Sequence, residues 1–207
     1  MRKITSIFIM ALLAGCSKGA TSATEFDRGG FNDREYRNDS IGFSLQVPES
    51  WHIENIGLNE FAEFDAALDE FMAGYEEEQR IGGGDSMVYF GLFSSILPTT
   101  ETFPASLTAY LVDLSGLRGV DGATGYLRHF EGRFPQSIGI QVGDIVSGEL
   151  GGRQFAAIST NASGVRRMEY ATRVGNYALV FSIVYETDDQ LSEVRRVLNE
   201  IRFERDS

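Results

Sequence analysis

The chain has 207 residues, 43% of them hydrophobic and 12% aromatic, enough apolar material for one substantial core and too much for a disordered polymer. Its 30 acidic residues against 18 basic ones give a formal net charge of −12 and an acidic pI near 4.6, a surface that repels nucleic-acid phosphates and anionic lipid heads. A single cysteine, Cys16, excludes any disulfide within the chain and any thiolate metal site.

Arg2 and Lys3 form a short basic start, and Ile4 to Leu13 an apolar run. Ten residues rising about 1.5 Å each make a helix of roughly 15 Å, half the thickness of a bilayer's hydrocarbon. The run therefore reads as a leader rather than a span. Leu13-Ala14-Gly15-Cys16 follows, with small residues that admit a peptidase before the cysteine. This stretch resembles a bacterial lipoprotein signal peptide. The resemblance implies a signal peptide over 1–15, removed on export, and Cys16 as a lipidated, palmitate-bearing mature N-terminus. Lipoproteins of this kind carry three acyl chains, a permanent anchor where a single chain would hold only weakly. Ser17 is not the aspartate that often retains such proteins at the inner membrane, so the periplasmic side with the outer membrane preferred is the expected location. Loss of Arg2 and Lys3 with the leader would take the net charge two units further negative. The membrane contact is then the lipid and not a basic patch.

Residues 16–35 are rich in Ser, Thr, Gly, Ala and Asp and read as a flexible tether. About eighteen such residues reach roughly 20–25 Å. One domain is expected over 36–207. After the turn composition of Asn38-Asp39-Ser40-Ile41-Gly42, Phe43, Leu45 and Val47 alternate with polar residues as in a half-buried strand, which Pro48 ends; Trp51 should close the end of the core.

Asn59 to Arg80 carries Phe61, Phe64, Leu68, Phe71, Met72 and Tyr75 at helical spacing among many acids, and Gly82-Gly83-Gly84 breaks it. Ser86 to Ile96 is a strand candidate closed by Pro98. A second helix is expected from about Pro104, with Leu107, Tyr110, Leu111 and Leu114 as its stripe. Gly116 to Pro135 has room for a short helix around Tyr126 to Phe130.

The last third is the most legible. Asp144–Leu150 and Arg153–Thr160 flank Gly151-Gly152 as a hairpin, and Asn161 to Gly164 turns again. Met168, Tyr170 and Val174 alternate with charged residues up to a turn at Gly175-Asn176. Tyr177 to Tyr185 is apolar on both faces, as in a central strand covered on both sides. Thr187 and Gln190 fit a capping box, and Leu191, Val194, Leu198 and Ile201 line one face of a closing helix.

Tyr36-Arg37-Asn38, Gly42-Phe43-Ser44-Leu45, Pro48 and Trp51 resemble the opening of the PsbP-like and Mog-type family. Tyr177-Ala178-Leu179-Val180-Phe181, then Val197-Leu198 and Ile201-Arg202-Phe203, resemble its ending. The resemblance implies an α+β fold, an antiparallel sheet between helices in an α/β/α sandwich. It also implies a non-enzymatic binding or assembly factor, since members sit beside photosystem II or bind a small GTPase and share no catalytic residues. The long acidic helix is an addition to that pattern.

Residues with chemistry point the same way. Gly84-Asp85-Ser86 is similar to the nucleophile block of GDS-type esterases, yet neither His52 nor His129 holds the position of that family's base. Two histidines this far apart make no zinc motif. The acids of the long helix diverge, unlike the converging oxygens that Ca²⁺ needs. Arg166-Arg167, Arg173 and Arg195-Arg196 either recognise a carboxylate or phosphate or pair with neighbouring acids. Asn161-Ala162-Ser163 has the form of a glycosylation sequon, discounted because the leader is bacterial in type. No catalytic residue, metal ligand or cofactor is expected. The expected function is a membrane-anchored, extracytoplasmic, non-enzymatic protein-interaction or assembly module. The alternative is a small-ligand-binding carrier with a Phe- and Tyr-lined pocket between sheet and helices, for which a cavity of about 300 Å³ or more is the minimum.

Overall fold

The computed structural model describes residues 29–54, 87–93, 104–132, 134, 139–162 and 164–204. The leader, Cys16, the helix expected over 59–80 and Gly84-Asp85-Ser86 lie outside them.

All pairing among the described strands is antiparallel. A small sheet has the order β1-β2-β3-β12, from Gly30–Asn32, Glu35–Asn38, Phe43–Gln46 and Arg202–Phe203. A large sheet runs β4-β5-β6-β11-β10-β9, from His52–Glu54, Met87–Phe93, Ser106–Asp113, Tyr177–Tyr185, Val165–Val174 and Arg153–Ala162. Two short strands, β7 (Gln141–Val142) and β8 (Val146–Leu150), share the outer edge of β9. Helix α1 spans Gly122–Glu131 and helix α2 spans Asp188–Leu198.

β11 explains the layering. Its side chains alternate between faces and nearly all are buried. Ala178 and Val180 join a cluster with Tyr126, Leu127 and Phe130 of α1. Leu179, Phe181 and Ile183 join a larger cluster with Phe43 and Leu45 of the small sheet and Leu191, Val194 and Val197 of α2. The large sheet is therefore sandwiched between α1 on one face and α2 with the small sheet on the other, the α/β/α arrangement of an α+β fold. Phe181 is wholly buried and meets Phe43 edge to face at 5.7 Å. Burial of such a side chain is worth roughly 1.5–3 kcal/mol.

Two expectations are corrected. The stretch after Pro104 is not a helix but β6, hydrogen-bonded between β5 and β11. Leu107, Tyr110, Leu111 and Leu114 satisfy helical spacing only because a strand buried on both faces has no apolar period to betray it. Strand structure is also present before Tyr36. β1 lies inside the stretch read as tether and pairs with β2. Arg34 donates from Nε to Val47 O at 3.1 Å, and its Nη2 reaches the carbonyls of Pro48 and Trp51. A basic residue in a polar segment gave no sign of that role.

Other expectations hold. The β8–β9 and β10–β11 hairpins turn at Gly151-Gly152 and Gly175-Asn176, α1 encloses Tyr126 to Phe130, and Trp51 is buried, its Nε1 donating to Glu193 Oε1 at 2.9 Å. Gly151 takes φ +58° in its turn, and a Cβ there would meet Ile201 O at 2.8 Å, so only glycine fits. At the start of α2, Thr187 Oγ1 accepts from Gln190 N–H at 3.2 Å, and Gln190 Oε1 accepts from Thr187 N–H at 3.1 Å. Thr187→Ala removes the first of these bonds. It should lower stability by about 1 kcal/mol, read as a lower urea midpoint at unchanged slope.

Candidate functional site

The basic residues singled out in the sequence separate into paired and unpaired groups. Arg166 Nη1 bonds Asp188 Oδ1 at 2.7 Å, and Arg173 Nη1 bonds Asp121 Oδ1 at 3.0 Å, both at the surface, where such pairs contribute little. Arg167 is bonded to Glu169, which is wholly buried. Arg195 and Arg196 have no carboxylate partner among the described residues. His52 is exposed on β4 and His129 half-buried on α1, separate elements that form no pair with spacing for catalysis. No group of three or more potential metal ligands occurs among the described residues.

The Arg167–Glu169 pair belongs to a network between the sheet and α1. Tyr110 Oη donates to Glu169 Oε2 at 3.1 Å and lies 3.3 Å from Tyr126 Oη, which is left as donor to it. Arg167 Nε also meets Ser182 Oγ at 3.1 Å, and its guanidinium stands 5.2 Å from the centre of the Phe130 ring. Burial works against the Arg167 charge, but Glu169, with Tyr110 and Tyr126, outweighs it and holds the guanidinium above its ordinary range. Burial, then the Glu169 charge and Tyr126, push the Tyr110 hydroxyl well above the usual phenol range. The Arg167 Nε, both Glu169 oxygens and the Tyr110 hydroxyl are engaged with one another, and through Tyr126 the network ties α1 to the sheet.

The other face is open. α2 rests on β11 and β3, and beyond it the sheet continues through β10, β9 and β8. On that face β9 presents Phe155, Ala157 and Ser159. β10 sets Tyr170 opposite Ala157 and Met168 opposite Ser159, and β8 sets Gly148 opposite Phe155 and Val146 opposite Ala157. Large residues thus ring the small Gly148, Ala157 and Ser159, and a cleft of about 450 Å³ results, walled by Arg195 of α2. A Cβ built on Gly148 would meet no atom within 4 Å. Val146 is 58% exposed at the rim. The edge is interrupted between β7 and β8, where Gly143 N–H donates to Ser159 O at 2.8 Å and Asp144 reaches the cleft. A Cβ on Gly143 would stand 2.6 Å from Ser159 Oγ, so a larger residue there would have to turn that hydroxyl aside. Burial raises the Tyr170 hydroxyl above its ordinary range, while the Arg195 guanidinium beside it pulls the other way.

The cleft fits the expectation of a Phe- and Tyr-lined pocket between sheet and helix, and its volume exceeds the stated minimum. Its residues were not foreseen from the sequence, although glycine in the middle of β8 and alanine and serine at alternate positions of β9 were signals of a depression.

No protein-family model matches the chain, and no curated protein matches it. Among solved structures it is similar to the cyanobacterial PsbP, CyanoP, of Synechocystis sp. PCC 6803, at 10% identity and a TM-score of 0.48 over 85% of this chain and 96% of that one. It is similar at 13% identity and a TM-score of 0.42 to a crystal structure from Bacteroides thetaiotaomicron, covering 85% of this chain and 50% of that one. LpqN of Mycobacterium tuberculosis, involved in cell envelope biogenesis, aligns at 14% identity and a TM-score of 0.37 over 77% of this chain and 82% of its own.

Two outcomes test the network. Glu169→Ala strands Arg167 and should destabilise the fold by about 3–5 kcal/mol, whereas a double Arg167→Met, Glu169→Leu change should cost far less; chemical denaturation measures both. Tyr110 releases its proton more readily when unfolded than when folded. Above pH about 10 the unfolded chain therefore holds fewer protons, and stability should fall as pH rises from there. Denaturation midpoints measured at increasing alkaline pH should fall less steeply in Tyr110→Phe.

Proposed function

We propose that the chain is a lipoprotein held at a membrane outside the cytoplasm by acylated Cys16, and that it works by binding a small ligand rather than by catalysis. The cleft between the β8–β9–β10 face and α2 carries this reading. Its volume of about 450 Å³ falls within the range of small-molecule sites, and its lining combines aromatic and apolar residues with polar and charged ones, Arg195 among them. The leader with Leu13-Ala14-Gly15-Cys16 supports the anchor and the periplasmic side, and Ser17 favours the outer membrane. The histidines on separate elements and the pairing of Arg167 with buried Glu169 support a binding role without chemistry.

A protein-interaction or assembly module is the second reading. The outer edge of β8 favours it, since no described strand pairs there and an extended segment of a partner could add to it.

Fractionation of cells making the wild type and Cys16→Ala tests the anchor. The wild type should pellet with membranes and incorporate an alkynyl palmitate, and the variant should be released unlabelled. Wild-type protein recovered from the cytosol with its leader intact would end the proposal. Native mass spectrometry of the membrane-extracted protein should find a small-molecule adduct. A bare protein, together with one partner enriched by crosslinking, would shift the function to the second reading.

A further inference from the structure

We infer that the cleft selects a monoanionic amphiphile, a single carboxylate on an apolar body, with Arg195 receiving the carboxylate. The inference rests on the ligand-binding reading and adds the chemistry of the ligand.

The charge argument starts from composition. In a chain with 30 acids against 18 bases, acids are abundant enough to neutralise exposed arginines, and Arg166, Arg167 and Arg173 are each neutralised by one. Arg195 and Arg196 both suit the last turn of α2, where cations complement the helix dipole. Of the two, only Arg195 lines the cleft. Its guanidinium stands beside the Tyr170 hydroxyl, with no carboxylate among the described residues in contact with it. A planar cation at an apolar cleft matches a carboxylate, which it can hold through two parallel hydrogen bonds.

The apolar argument comes from Phe155, Met168 and Tyr170, which rise around the floor at Ala157, while the missing side chain at Gly148 leaves the space open. Adjacent strands lie about 4.8 Å apart, so the floor from β8 to β10 is roughly 10 Å across, room for an acyl or aromatic body lying over the sheet. Asp144 lines the cleft from the β7–β8 side, while Glu149 pairs with Gln154 on the opposite face of the β8–β9 ribbon. Asp144 disfavours a second negative group at that end. One charge at the α2 wall and an uncharged body toward β8 is the pattern left.

The test uses the lipidated chain in nanodiscs, with empty nanodiscs subtracted, and calorimetric titration of decanoate, decanol and decyltrimethylammonium below their self-association concentrations. Decanoate should bind at least about ten-fold more tightly than the other two. Arg195→Glu should reverse the order of anion and cation, and Arg195→Lys should keep the anion first. Gly148→Leu, which fills the cleft without backbone strain, should abolish binding of all three. Melting temperatures near that of the wild type establish that the variants fold. Three probes binding equally, with Gly148→Leu still blocking them, would overturn the carboxylate selection and leave the ligand-binding reading standing. No binding by any probe would overturn both. A hexapeptide with a free carboxyl terminus binding about ten-fold tighter than decanoate would replace the small amphiphile with a protein segment.

Discussion

Burial of β11 on both faces is the constraint from which the rest of the architecture follows. A strand with Leu179, Phe181 and Ile183 on one side and Ala178 and Val180 on the other leaves apolar surface exposed unless two separate layers cover it. The chain meets that demand asymmetrically. Small residues on the α1 side let that short helix approach the sheet, and the large residues opposite need the combined cover of α2 and the small sheet. β6 and β10 flank β11, so the same demand spreads through the middle of the large sheet.

Cover is finite, and the molecule becomes functionally interesting where it stops. α2 is three turns long and rests on β11 and β3, while the sheet extends further through β9 to the short strands β7 and β8. The uncovered end could have been filled by large side chains. Instead Gly148, Ala157 and Ser159 keep the surface low, and Phe155, Met168 and Tyr170 form its walls. An open, partly apolar depression at the end of a well-packed face is a place for a ligand.

Arg167 and Arg195 show how surroundings decide what a guanidinium does. Arg167 lies mostly buried beside Glu169, and its Nε bonds to Glu169 and Ser182 within the fold. Such a pair adds little net stability but makes loss of either partner severe. Arg195 stands at the boundary between helix and cleft with a phenol beside it and an apolar wall nearby. Its charge faces outward to whatever enters.

Much of this was legible in the residues themselves. The capping box at Thr187 and Gln190, the glycine turns at Gly151-Gly152 and Gly175-Asn176, and the doubly apolar Tyr177–Tyr185 are local signals, because turn geometry, capping and strand burial depend on neighbours in sequence. β6 was not legible, since its apolar residues fit two periods at once and only pairing with β5 and β11 chooses between them. Arg34 was equally hidden, its role coming from carbonyls of Val47, Pro48 and Trp51 more than ten residues away. The sequence by itself determined the central strand, the turns and the closing helix. Tertiary structure alone decided which arginine is neutralised and which faces a cleft, because charge pairing and open volume arise from residues distant in the chain and adjacent only in the fold.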